Sequence, residues 1–147
     1  MKIAIACDHG GLLLKNQLKS YLVERGEEIF DFGTTTADSC DYPDFGIAAA
    51  EAVAGGECEC GIVVCTTGIG ISIASNKVRG IRCALCGDPL SAKLTRQHNN
   101  ANMLALGSII VGPALALEIV KVFLETEFSG AERHQRRIDK IAAAERK

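Results

Sequence analysis

The chain has 147 residues, a hydrophobic fraction of 48%, a charged fraction of 23% and a formal net charge of -2. That length buries a core without metals or disulfides and fits one domain over residues 1–147. The near-neutral charge, with 5% aromatic residues and no Trp, argues against a nucleic-acid partner, and no apolar run approaches a membrane span or a signal-peptide core.

IAIAC (3–7) reads as the first buried strand, followed by a helix from about Gly11 to Arg25 with Leu14, Leu18 and Leu22 on one face and Gly26 as its stop. EIFDF (28–32) is the second strand. A second helix is expected to follow DYPDFG (41–46), carried by Ile47, Ala48, Ala52 and Val53 and ended by Gly55 and Gly56. GIVVC (61–65) is the third strand, and a short helix begins near Gly70. RCALC (82–86) is the fourth. Its CxxC spacing turns Cys83 and Cys86 to opposite faces of a strand, so they read as small buried residues rather than a zinc or redox pair.

Asp88 and Pro89 form an N-cap and first-turn pair for a helix to about Arg96, MLALG (103–107) is the fifth strand, and Gly112 with Pro113 opens a helix burying Leu117, Val120 and Leu124. The tail GAERHQRRIDKIAAAERK (130–147) is helical in period, with Ile138 and Ile141 its only large apolar residues. It is expected to lie on the surface or on a partner subunit. Strands alternating with helices predict a doubly wound α/β fold: a five-stranded parallel sheet in a Rossmann-like three-layer sandwich.

Seven cysteines without a secretory signal predict reduced thiols and a cytoplasmic protein. In an open parallel sheet, ligands collect beyond the carboxyl ends of the strands. Asp8 and His9 follow the first strand there, and Cys65, Thr66, Thr67, Gly68, Ile69 and Gly70 follow the third. The glycines let backbone N–H groups approach a ligand at a helix N-terminus, yet they match neither the Walker loop nor the GxGxxG fingerprint. Cys65 is either a base or nucleophile, its thiolate favoured by the helix that follows, or one more small strand residue.

His98 lies among polar neighbours in TRQHNNAN (95–102). Asn99, Asn100 and Asn102 suit sugar hydroxyls better than packing, although asparagines also suit helix ends and turns. Arg133 and Arg137, four apart, either grip a phosphate or form a solvated face, and His134 lies one position off that face.

Taken in order, CDHGG (7–11), DYPDFG (41–46), CTTGIGISIASNK (65–77), RQHNNAN (96–102) and ERHQRRIDKI (132–141) resemble the ribose-5-phosphate isomerase B family, which includes galactose- and allose-6-phosphate isomerases. The resemblance spans nearly the whole chain. It implies an aldose–ketose interconversion through an enediolate, with neither metal nor organic cofactor. It further implies Cys65 as the base, Thr67 at the reacting oxygens, His98 as the residue that opens the furanose ring and Asp8 as an aid to proton movement. Backbone N–H groups of Gly68, Ile69, Gly70, Ile71 and Ser72 would face the enediolate. His9, Arg133 and Arg137 would bind phosphate, and Tyr42 and Asn99 would also line the substrate site. The family's C-terminal helix and His98 reach the neighbouring subunit, which implies a homodimer or a dimer of dimers with shared sites.

Two positions depart from the family. Ile109 stands where relatives commonly have a phosphate-binding arginine, and Thr66 where many have glycine. Both leave open a preference for a four- or six-carbon aldose phosphate. A sugar-phosphate-binding subunit without turnover is disfavoured, because Cys65, Thr67, His98 and Asp8 are all present.

Overall fold

A computed structural model describes residues 1–146. Its strands are β1 (Lys2–Cys7), β2 (Glu28–Asp31), β3 (Cys60–Cys65), β4 (Cys83–Leu85) and β5 (Met103–Gly107). They form one parallel sheet in the order β2-β1-β3-β5-β4, with Cys7 beside Val64 and Cys65 beside Gly107. The helices are α1 (Leu12–Glu24), α2 (Tyr42–Ala54), α3 (Ile69–Ser75), α4 (Pro89–Asn99), α5 (Pro113–Glu125) and α6 (Glu132–Ala144), with a 3-10 turn at His9–Gly11.

The central strands are buried on both faces, and residue size distinguishes the two. Ile3, Ile5, Ile62, Val64, Leu104 and Leu106 point into the cluster shared with α1, α4 and α5. Ala4, Ala6, Val63, Cys65 and Ala105 point into the cluster shared with α2 and α3. Small strand residues there meet Ala49, Ala50 and Ala52 of α2, so this layer packs close to the sheet. Each large aliphatic side chain buried on the opposite face contributes about 1.5–3 kcal/mol.

Leu14, Leu18 and Leu22 are buried as expected, and Gly26 closes α1 at φ +84, where a side chain would be strained. Cys83 and Cys86 belong to opposite clusters. No helix among the described residues is long and apolar enough to cross a membrane.

Several expectations need correction. α2 begins at Tyr42 inside DYPDFG, with Pro43 in its first turn, because proline suits the position whose N–H has no intrahelical acceptor. Its buried face is Gly46, Ala49, Ala50, Ala52 and Val53, leaving Ile47 and Ala48 half-buried. α4 runs past Arg96 to Asn99 and ends at Asn100, in the left-handed region at φ 44, so His98 and Asn99 belong to a helical turn. α5 buries Ala116, Ile119, Val120 and Phe123, with Leu117 and Leu124 only partly covered. α6 buries His134 and Ile138, whereas Ile141 is 50% exposed.

Candidate active site

β1 and β3 are neighbours at the point where the chain changes direction across the sheet, the expected place for a ligand crevice. Asp8, just past β1, is buried and accepts a hydrogen bond from Gly11 N–H at 3.1 Å, capping the 3-10 turn. His9 is exposed on that turn. The Cys40 N–H donates to His9 Nδ1 at 3.2 Å, which leaves the proton of the neutral ring on Nε2, the nitrogen free for a ligand.

At the end of β3, Cys65 is 4% exposed and its Sγ accepts a hydrogen bond from Gly68 N–H at 3.1 Å. This contact fixes the sulfur at the N-terminal turn of α3. Gly68 has φ +77, a conformation an L side chain rarely adopts, and an added Cβ would lie 2.7 Å from the Leu106 carbonyl carbon. Thr67 Oγ1 accepts from Ile69 N–H at 3.3 Å, and Ser72 N–H bonds Gly68 O at 3.2 Å.

Of the five loop amides expected to face the ligand, those of Gly68, Ile69 and Ser72 are thus engaged within the protein. The N–H groups of Gly70 and Ile71 have no acceptor among the described residues. The Ile71 side chain is core, so only its backbone is available. Tyr42 lies over this turn: a Cβ on Gly70 would sit 2.6 Å from the ring Cζ.

The second half of the predicted site lies elsewhere in this chain. α4 crosses from the carboxyl ends of the strands to their amino ends, so His98 and Asn99 precede Met103, the first residue of β5, while Cys65 pairs with Gly107, its last. The two groups stand at opposite ends of a five-residue strand, roughly 15 Å apart or more. Arg133 and Arg137, both exposed, follow His98 there, because α6 packs on α4 and His134 stacks against the His98 ring with centroids 4.5 Å apart.

Asn100 and Asn102 are structural. Asn100 Oδ1 accepts from Arg96 at 3.2 Å, and Asn102 Oδ1 and Nδ2 bind Arg82 N–H and Gly80 O at 2.8 and 2.9 Å. Asn99 is exposed, and its backbone carbonyl accepts from Arg82. α6 rests its buried face on α4 of its own chain, and its arginines face outward.

The remaining thiols divide by burial. Burial pushes Cys7 and Cys86 up to about 11 and Cys60 and Cys83 up to about 12, and it raises Cys58 as well. These five stay protonated near neutral pH and serve as packing. All seven cysteines are free of disulfides.

The sequence profile of the Ribose/Galactose Isomerase family matches residues 3–141. The chain belongs to the ribose/galactose isomerase family. Ribose-5-phosphate isomerase B of Escherichia coli (strain K12) is 49% identical over 146 residues, covering 99% of this chain and 97% of that protein. The structure of Clostridium thermocellum ribose-5-phosphate isomerase B superposes with a TM-score of 0.98 at 53% identity, covering 99% of this chain and 98% of that one. The Mycoplasma genitalium enzyme, crystallised with ribulose 5-phosphate, gives a TM-score of 0.94 at 41% identity over 99% of this chain and 97% of its own.

Within this family frame, the structure adds residues that sequence reasoning missed. Ser108 N–H and Ile109 N–H donate to Cys65 O and Thr66 O at 2.9 and 3.1 Å, and Ser108 Oγ donates to Gly10 O at 2.7 Å. The GSI turn after β5 therefore clamps both site loops. Lys15, 2% exposed, forms an ion pair with Asp31 at 2.8 Å. Its signal was available, since Lys15 lies three and seven positions before Leu18 and Leu22, on the helix face that goes inward.

Proposed function

We propose that the protein interconverts D-ribose 5-phosphate and D-ribulose 5-phosphate through an enediolate, in a site completed by a second copy of the chain. The observation that carries this reading is the Cys65 turn: a buried sulfur held by an N–H at 3.1 Å, beside the free N–H groups of Gly70 and Ile71.

In this reading the Cys65 thiolate removes the proton from C2 of the open-chain aldose and returns it to C1, while the hydroxyl proton passes from O2 to O1. Charge developing on the oxygens meets the Gly70 and Ile71 amides, which are already oriented and need no reorganisation. Thr67 and Asp8 flank those oxygens and assist the hydroxyl proton. His98 of the other subunit opens the furanose ring, and Asn99 beside it contacts the sugar. The phosphate is held by His9 Nε2–H and by Arg133 and Arg137 of that subunit, with Tyr42 closing the wall over Gly70. No step calls on a metal or an organic cofactor. Free thiols throughout fit a reducing, cytoplasmic setting.

A homodimer is the smallest assembly that fits, because one chain keeps Cys65 and His98 at opposite strand ends; a dimer of dimers preserves the same pairing. A second reading, isomerisation of another aldose phosphate such as a six-carbon one, is favoured by one observation. Ile109 is 71% exposed and apolar on the turn clamped to the site, and its side chain offers nothing to a phosphate. Measuring kcat/KM across four-, five- and six-carbon aldose phosphates separates the readings. The five-carbon substrate is expected to lead, a six-carbon leader transfers the assignment, and the absence of ketose from all of them overturns isomerisation.

A further inference from the structure

His134 is one of two buried side chains of α6, the other being Ile138 one turn on. Burying an imidazole is costly unless its nitrogens are paired, and an aliphatic residue would fill the same space without that cost. Here the ring is 5% exposed, and its Nδ1 lies 2.7 Å from Ser129 Oγ. Ser129 is itself anchored to the end of α4, where its N–H donates to Gln97 O at 3.2 Å. The other face of His134 meets the ring of exposed His98, with centroids 4.5 Å apart and planes inclined by 40°. Burial, then the nearby charges of Arg133, His98 and Arg137, hold His134 below the usual histidine range, which favours the uncharged ring in this tilted contact.

We propose that His134 is a positioning residue for His98: braced by Ser129, its ring backs the His98 ring and selects one orientation of it at the end of α4. This rests on the reading of His98 as the ring-opening residue. An exposed histidine in a final helical turn otherwise moves among several rotamers. A displacement of about 1 Å in a proton-transfer group lowers rate by as much as about a hundredfold. His134 makes no contact with substrate in this account and acts through His98 alone.

The test is a set of variants assayed on ribose 5-phosphate. His134→Ala is expected to lower kcat by about ten- to a hundredfold with KM changed less than about twofold. His134→Phe keeps a ring against His98 and is expected to recover to within about threefold of the parent. In a His98→Ala background, His134→Ala is expected to add no further loss, because coupled residues are not additive. A rise in KM at unchanged kcat would assign His134 to phosphate binding and overturn the proposal. So would a Phe variant as slow as the Ala variant, or an undiminished His134→Ala effect without His98. A His98→Ala enzyme at the parent rate would instead remove the ring-opening reading itself.

Discussion

Mixing two impaired variants tests whether the site is shared. Cys65→Ala removes one half of the proposed site and His98→Ala the other, and in one chain these halves lie at opposite ends of β5. Five residues at about 3.3 Å each separate them by roughly 15 Å, several times the reach of a proton transfer. If two chains build two shared sites about a two-fold axis, a mixed dimer contains one site with both Cys65 and His98 and one with neither. Random pairing makes about half of the dimers mixed, so equimolar co-expression should restore about a quarter of parent activity. Isolated mixed dimers, purified through two different tags, should show about half. The assay is ketose formation from ribose 5-phosphate, with each variant alone as the baseline. Mixed dimers no more active than either variant alone would refute the shared site, since every site would then carry its own lesion.

Gly68→Ala should lower stability by about 1–3 kcal/mol in urea unfolding, because φ +77 and a Cβ placed 2.8 Å from Gly107 N impose strain and a backbone clash; an unchanged midpoint would contradict this. Ile109→Arg should lower KM for ribose 5-phosphate by about tenfold, by adding a charge-assisted contact, and no change would detach this turn from the phosphate. Burial opposes the charge on Asp31, but hydrogen bonds from Lys15, Lys19 and Gly33 N–H outweigh it and hold the carboxyl below its ordinary value. The folded value is the depressed one, so its stabilisation is present above about pH 4 and is lost as pH falls through the folded value. Asp31→Asn should therefore flatten the acid limb of a stability–pH profile, and an identical limb would remove Asp31 from it.

The strands and the first helix were legible because their signals are local: apolar runs of five or six residues, leucines at helical spacing and a glycine after the last turn. The start of α2 was misplaced because DYPDFG reads as a loop by its aspartates and glycine, whereas Pro43 in a first helical turn obeys the same chemistry that opens α4 and α5. Helix length past Arg96 turned on Asn100 accepting a left-handed conformation, which residue type permits without requiring. Cys65, Asp8 and His9 could be placed together because strand ends of a parallel sheet share one edge. His98 could not, because the side of the sheet a histidine occupies depends on where α4 ends. Motif order reveals which residues belong to one chemistry, whereas the number of chains that bring them together was implied by the family resemblance alone. The buried Lys15–Asp31 pair escaped because a lysine among leucines reads as a surface residue until its position on the inward face is counted.

The central claim is that Cys65 moves the proton between C1 and C2, and following the reaction in deuterium oxide by NMR tests it most directly. The parent enzyme is expected to produce ribulose 5-phosphate carrying solvent deuterium at C1 in those turnovers in which the Cys65 thiol exchanges its proton with solvent before reprotonating the enediolate, and the original hydrogen in the rest. Cys65→Ala is expected to lose about a thousandfold or more in kcat while binding ribose 5-phosphate within about threefold of the parent affinity. A Cys65→Ala enzyme that isomerises within about tenfold of the parent rate would contradict the account.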